Sequence, residues 1–147
     1  MEELYAYRRK LLERYVAVGG ELAARLGQIT AEEPTSSLSR VVAHLLEVEE
    51  RVFLPVMQRI LHEEEPLLHY PQVPLDAREE LRGEATLSEL LEAYALLREK
   101  AVRLLEQQPA ENWGRGGRHP VFGLRTLQWW VEQDLKHIEE HLKEVPC

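Results

Sequence analysis

The chain has one cysteine, Cys147, at the last of its 147 positions. One thiol cannot form an internal disulfide framework, and a chain end holds a nucleophile poorly. Neither a disulfide-stapled scaffold nor a cysteine catalyst is expected, which suits a reducing compartment. No apolar run approaches the roughly 20 residues that span a bilayer. The first ten residues, MEELYAYRRK, carry charges and no apolar stretch follows, so no secretory leader is expected and the cytoplasm is the expected location. Positive charge is also in deficit. Eighteen Lys and Arg against 26 Asp and Glu give a net charge of −8. Such a surface repels phosphate backbones and argues against nucleic acid as a partner. No G-x-S-x-G, phosphate loop or H-E-x-x-H occurs, which removes the motif-borne hydrolase, nucleotide and zincin classes.

What is present is helical. Hydrophobic residues make up 44% and charged residues 30%, a balance for one globular domain over residues 1–147. Leu4, Leu11, Tyr15, Val18, Leu22 and Leu26 line one face of a first helix. Gly19-Gly20 within it predicts a weakened or kinked helix, or a close backbone approach. A polar link, Gln28–Ser36 with Pro34, leads to a second helix over about 37–63. Its stripe is Leu38, Val41, Leu45, Val48, Val52, Val56 and Ile60, with a kink expected at Pro55. A connection with Pro66, Pro71 and Pro74 follows, with a short helix expected around Asp76–Arg82.

Thr86-Leu87-Ser88-Glu89 is a capping box that opens a third helix. Leu87, Leu90, Tyr94, Leu97, Ala101 and Leu104 give it a bundle-type seam. A second loop, Asn112–Arg125, is rich in Gly and holds Pro120. The fourth helix then runs from Thr126, its N-cap, to about Lys143, with Leu127, Val131, Leu135, Ile138 and Leu142 inward. No strand is expected. The fold class is therefore all-α: a four-helix bundle with a long crossover between helices two and three and a Gly/Pro-containing loop before helix four.

Six histidines occur. His44 flanks the stripe of helix two. His137 and His141 stand four apart on one face of helix four, in a row that continues back to Asp134 and Trp130. Such a pair matches bidentate metal geometry, and a third imidazole from another helix would leave open positions for water, thiolate or substrate. The same pair equally suits two surface histidines complementing the dipole at a helix end. His62 and His69 fall in or near a polar loop and read as solvated, and His119 reads as structural. A ferritin-like di-metal site needs Glu-x-x-His on two helices, and only Asp134-x-x-His137 comes close. Glu47, three after His44, is a candidate orienting carboxylate or an ordinary helix-surface partner.

Arg115, Arg118 and Arg125 gather before helix four. They read either as exposed partners of nearby Glu or as an anion site built with the helix N-terminus. Of Trp129-Trp130, one ring is expected in the core and one on a flank, walling a pocket or a dimer contact.

Two stretches, SRVVAHLLEVEER (Ser39–Arg51) and RHPVFGLRTLQWWVEQDLKHIEEH (Arg118–His141), resemble the DinB-like superfamily, and the likeness extends over nearly the whole chain. The Arg118–His141 stretch is similar to that family's passage His-Pro-x-Phe-Gly, then Thr-Leu, then His-Asp-x-x-His. The resemblance implies a four-helix bundle holding a divalent metal, Zn, Ni or Fe, on three His. It implies His44 and His137 as ligands and places the third at Gln133, four before His137, a departure that weakens the set, with His141 one turn beyond His137 as a replacement. Some members of the family resemble transferases and isomerases that use low-molecular-weight thiols such as bacillithiol or mycothiol. The expected function is thus a metal-dependent thiol transferase with a small-molecule pocket between helices two and four, and with Arg115, Arg118 and Trp130 as substrate contacts. The alternative is a non-catalytic small-molecule-binding or dimeric interaction protein with a degenerate metal site. A small molecule and a second copy of the chain are the expected partners.

Overall fold

The computed structural model describes residues 1–27, 37–69 and 85–145. The Gln28–Ser36 link, the expected Asp76–Arg82 helix with Pro71 and Pro74, and Cys147 lie outside the described residues. The helices are α1 (Glu2–Gly27), α2 (Ser37–Val48), α3 (Leu54–His62), α4 (Leu87–Glu106) and α5 (Leu127–Leu142). A π-helical turn, Glu49–Phe53, joins α2 to α3, so these form one rod, the second helix of the bundle. α1 packs on α4 and α5, and the rod packs on the same two helices. Among the described residues no helix is long and apolar enough to cross a membrane.

Apolar periodicity drives the assembly. Leu11, Tyr15, Val18, Leu22 and Leu26 of α1 are buried, while Leu4 stays exposed. Leu127, Val131, Leu135, Ile138 and Leu142 of α5 are buried as their spacing predicts, and Trp130 joins them. The helix starts follow their caps: the Thr86 hydroxyl accepts from Glu89 N–H and the Thr126 hydroxyl from Trp129 N–H, each at 3.2 Å.

The kink expected at Pro55 is replaced by the π-turn just upstream. Proline lacks the N–H that would bond the Arg51 carbonyl. The ladder instead widens, and Leu54 N–H donates to the Glu49 carbonyl five residues back. The widening rotates the buried face. Val42, Leu45 and Leu46 are buried above it, and Phe53, Val56, Met57 and Ile60 below, while Val41 and Val48 are only half-buried.

The loop before α5 also differs from expectation. After a 3₁₀ turn, Ala110–Gly114, it forms an antiparallel hairpin of β1 (Gly116–His119) and β2 (Gly123–Thr126). His119 pairs with Gly123, leaving a three-residue turn closed by Gly123 at φ +75°. That is the turn geometry that wants glycine in the left-handed region. Short glycine-rich strands without apolar alternation give no period-2 signal. Gly117 lets β1 lie against α3 and the segment after it: a Cβ there would stand 2.9 Å from Leu68 Cδ1 and 3.1 Å from Ile60 Cγ1.

Candidate metal centre

α2 and α5 carry the three histidines at bordering positions, half-buried, and the helices bring them into one group. His44, His137 and His141 each offer a ring nitrogen, and the three nitrogens lie within 4.8 Å of one another. His44 Nε2 and His137 Nε2 are 3.2 Å apart. The ring centroids of His44 lie 5.2 Å from His137 and 4.9 Å from His141, and those of His137 and His141 are 4.6 Å apart. Burial, then the neighbouring His141 and His44, push the His137 imidazole down to about 4, so it is neutral at pH 7. His141 Nδ1 lies 3.3 Å from Glu144 Oε1, within ion-pair range but without hydrogen-bond geometry. Three imidazole nitrogens from two helices fit a Zn, Ni or Fe(II) ion with further positions open.

Beside the histidines lies a pocket of about 230 Å³ walled by Phe53, Phe122, Trp129, Trp130, Gln133 and His137, with Lys136 and Glu140 at its rim. Phe53 enters it from the π-turn, with its ring 6.0 Å from His137 and 6.4 Å from Trp130. Phe122 comes from the hairpin turn. That turn is held by His119, whose Nδ1 accepts from Val121 and Phe122 N–H at 3.0 and 3.2 Å and whose ring stacks on Phe122 at 4.7 Å. His119 therefore plays the structural part its sequence context suggests.

Trp130 is a wall of this pocket although it is only 1% exposed, so it serves core and pocket together. Gln133 lines the pocket, one turn before His137. Arg115 and Arg118 lie elsewhere. Arg115 donates from Nε to the Ile60 carbonyl at 3.0 Å and from Nη2 to the Glu63 carbonyl at 2.9 Å, which caps the end of α3. Arg118 is exposed, 3.6 Å from Glu65. Arg125 lies over the Trp129 ring at 4.8 Å. Glu47 pairs with Arg51.

A second polar group lies in the core, and the apolar spacing of the helices does not announce it. Glu49, Arg98 and Asp134 are 1%, 6% and 0% exposed. The Tyr15 hydroxyl reaches Asp134 Oδ2 at 2.7 Å and Glu49 Oε1 at 3.1 Å, tying α1 to α5 and to the rod. Arg98 Nη2 donates to the Tyr15 carbonyl, and its guanidinium sits 3.8 Å from the Tyr15 ring centre. Burial, followed for Glu49 by the Asp134 charge, raises both carboxyl groups, and the Arg98 cation opposes that rise. A signal for this group exists in the sequence. Glu49 lies four after Leu45, Asp134 three after Val131, and Arg98 four after Tyr94, so all occupy inward-facing positions. In α4 the inward face accordingly runs Tyr94, Arg98, Ala101, Leu105 rather than through Leu97 and Leu104.

No curated protein matches the chain at a significant level. Among solved structures it is similar to YfiT from Bacillus subtilis, described as a probable metal-dependent hydrolase with an unusual four-helix bundle topology. The two share 20% sequence identity, and the match covers 94% of this chain and 83% of that one with a TM-score of 0.75. The sequence itself matches the DinB superfamily over residues 4–145, and the chain belongs to that superfamily.

Proposed function

We propose that the protein is a divalent-metal-dependent enzyme whose His44, His137 and His141 hold the ion beside an aromatic pocket, where a low-molecular-weight thiol attacks an apolar electrophile. The observation that carries this reading is the approach of three ring nitrogens from two helices to within 4.8 Å of one another. A bound ion supplies there a lowered pKa for a coordinated thiol or water. The chain's own side chains do the rest. Phe53, Phe122, Trp129 and Trp130 exclude water and seat an apolar group next to His137. Lys136 at the rim suits a carboxylate of the thiol. The reading of a degenerate, non-catalytic site leans on Gln133 in place of a ligand. His141 supports the catalytic reading, because it offers the third nitrogen from one turn beyond His137. The likeness to a probable hydrolase supports a second reading, in which water replaces the thiol as nucleophile.

Metal analysis of untagged protein tests the foundation. Zn, Ni or Fe at 100 times its Kd should add about 2.7 kcal/mol of stability. His44→Ala, His137→Ala and His141→Ala should each abolish that gain, and His62→Ala should keep it. Absence of both bound metal and metal-dependent stabilisation would sink the proposal. Metal-loaded protein offered an electrophile with and without bacillithiol or mycothiol then separates the two nucleophiles: thiol-dependent turnover supports transfer, and thiol-independent cleavage supports hydrolysis.

A further inference from the structure

α1 carries none of the three histidines, but one of its side chains touches both elements that do. Tyr15 is 0% exposed. Its hydroxyl reaches Asp134 Oδ2 on α5 at 2.7 Å and Glu49 Oε1 in the π-turn of the rod at 3.1 Å. Asp134 lies three residues before His137, and Glu49 five after His44. The phenol oxygen thus joins α5 to the rod within about two helical turns of the histidines. Asp134 Oδ1 has no hydrogen-bond partner among the described residues, which leaves Oδ2 and its bond to Tyr15 to hold that side chain. α4 holds the Tyr15 ring in turn. The Arg98 guanidinium sits 3.8 Å from the ring centre, and Arg98 Nη2 donates to the Tyr15 carbonyl. Neither contact uses the hydroxyl, so deleting the hydroxyl alone removes the bridge and leaves the ring in place.

We propose that Tyr15 is a positioning residue for the metal centre: its hydroxyl fixes the rod against α5 at the separation that brings the ring nitrogens of His44, His137 and His141 together. The inference rests on the metal-binding reading of these histidines. His44 comes from the rod and the other two from α5, so the separation of these elements decides whether all three nitrogens reach one ion. His44 Nε2 and His137 Nε2 stand 3.2 Å apart. Metal–nitrogen bonds of about 2.0–2.1 Å tolerate only about 0.2 Å of misfit, so a small opening between the rod and α5 costs the His44 ligand. The phenol makes both of its bonds only when the two elements are close. It can favour the metal-ready spacing over a looser one by no more than the net worth of those bonds, a factor of about 3 to 10 for a typical hydrogen bond.

The probe is Co(II), titrated into untagged full-length protein near pH 7 and read by its visible d–d bands and by competition with a chelator. Tyr15→Phe keeps the ring, the Arg98 stack and the carbonyl bond, so it should stay folded. It should bind Co(II) about 3- to 10-fold more weakly. Its bands at saturation should shift, because they report coordination geometry. Thr86→Ala removes the cap of α4 and serves as the control for a comparable loss of global stability. Its Co(II) affinity and bands should match those of the parent. A second pair reads the same contact from α5. Asp134→Asn loses the charge but keeps an oxygen that accepts from the phenol, and Asp134→Leu loses both. The Leu variant should bind Co(II) about 3- to 10-fold more weakly than the Asn variant. Unchanged bands with affinity within about twofold of the parent in Tyr15→Phe overturns the role of Tyr15. So does an equal loss in Thr86→Ala, or equal binding by the two Asp134 variants. Failure of the parent itself to bind Co(II) overturns the metal reading and this inference with it, so the two failures are told apart.

Discussion

Replacing Arg98 by Met should be the most damaging single change in the core. The side chain is 6% exposed, bonds the Tyr15 carbonyl and is the cation facing Glu49 and Asp134. Removing one partner of a buried ionic group strands the other, at about 3–5 kcal/mol. Against a total stability of about 5–15 kcal/mol this is a large fraction. At about 2–4 °C per kcal/mol for a chain of this size, the melting temperature should fall by roughly 6–20 °C. The loss has a pH signature. Burial raises both carboxyl groups in the folded state, and loss of the cation raises them further. A folded pKa above the unfolded value of about 4 means that the fold holds more protons, so its contribution is full below that value and is lost as pH rises through the folded pKa. The deficit of Arg98→Met relative to the parent should therefore be smallest near pH 5 and grow toward pH 8. Contributions common to both proteins, such as the neutral His137, cancel in the difference. Urea unfolding at several pH values reads both quantities. Arg98→Lys, which keeps the charge but loses the Tyr15 carbonyl geometry, should cost only about 1 kcal/mol. A deficit for Arg98→Met below about 1 kcal/mol at pH 7, or one that does not change with pH, would refute the charge-balance account.

If His141 is the third ligand, Gln133→Ala should leave metal affinity within about twofold in a competition titration, whereas a 10- to 100-fold loss would give Gln133 that place. Gly117→Ala drives a methyl group against Leu68 and Ile60 and should cost about 1–3 kcal/mol in urea unfolding; a neutral result would mean that β1 is free to shift away from α3. Thr86→Ala removes the cap of α4 and should cost about 1 kcal/mol, visible as a lower denaturation midpoint at unchanged slope.

Spacing made the bundle legible because its helices obey one rule, apolar residues every three or four positions. The two histidines of α5 were legible for the same reason, since four residues apart means one face. That His44 joins them needed knowledge of which helices are neighbours, which the likeness to a known family supplied and periodicity did not. The family pattern also pointed to Gln133, about two turns before His141, which brings the third nitrogen. The hairpin was illegible because its strands owe their pairing to glycines and to contacts with α3, not to an alternating pattern. The polar core was hidden differently. Glu49, Arg98 and Asp134 stand at inward positions of their helices, but charged residues in helical segments are ordinarily read as solvated, and only the meeting of three distant helices supplies their partners.

The π-turn at Glu49–Phe53 makes the second helix sensitive to length. Each residue of an α-helix advances the chain by about 100°. The π-turn holds five residues where an α-turn holds four, so deleting one residue from Glu49–Phe53 would let the rod close into a continuous α-helix with α2 and α3 in nearly their present mutual orientation. Inserting a residue between His44 and Met57 has no such outlet: it would turn α2 relative to α3 by about 100°, and Met57 and Ile60 would keep their places only if His44 swung out of reach of His137 and His141. A one-residue deletion in the turn should thus keep the histidine cluster, and a one-residue insertion should leave a helical protein without it.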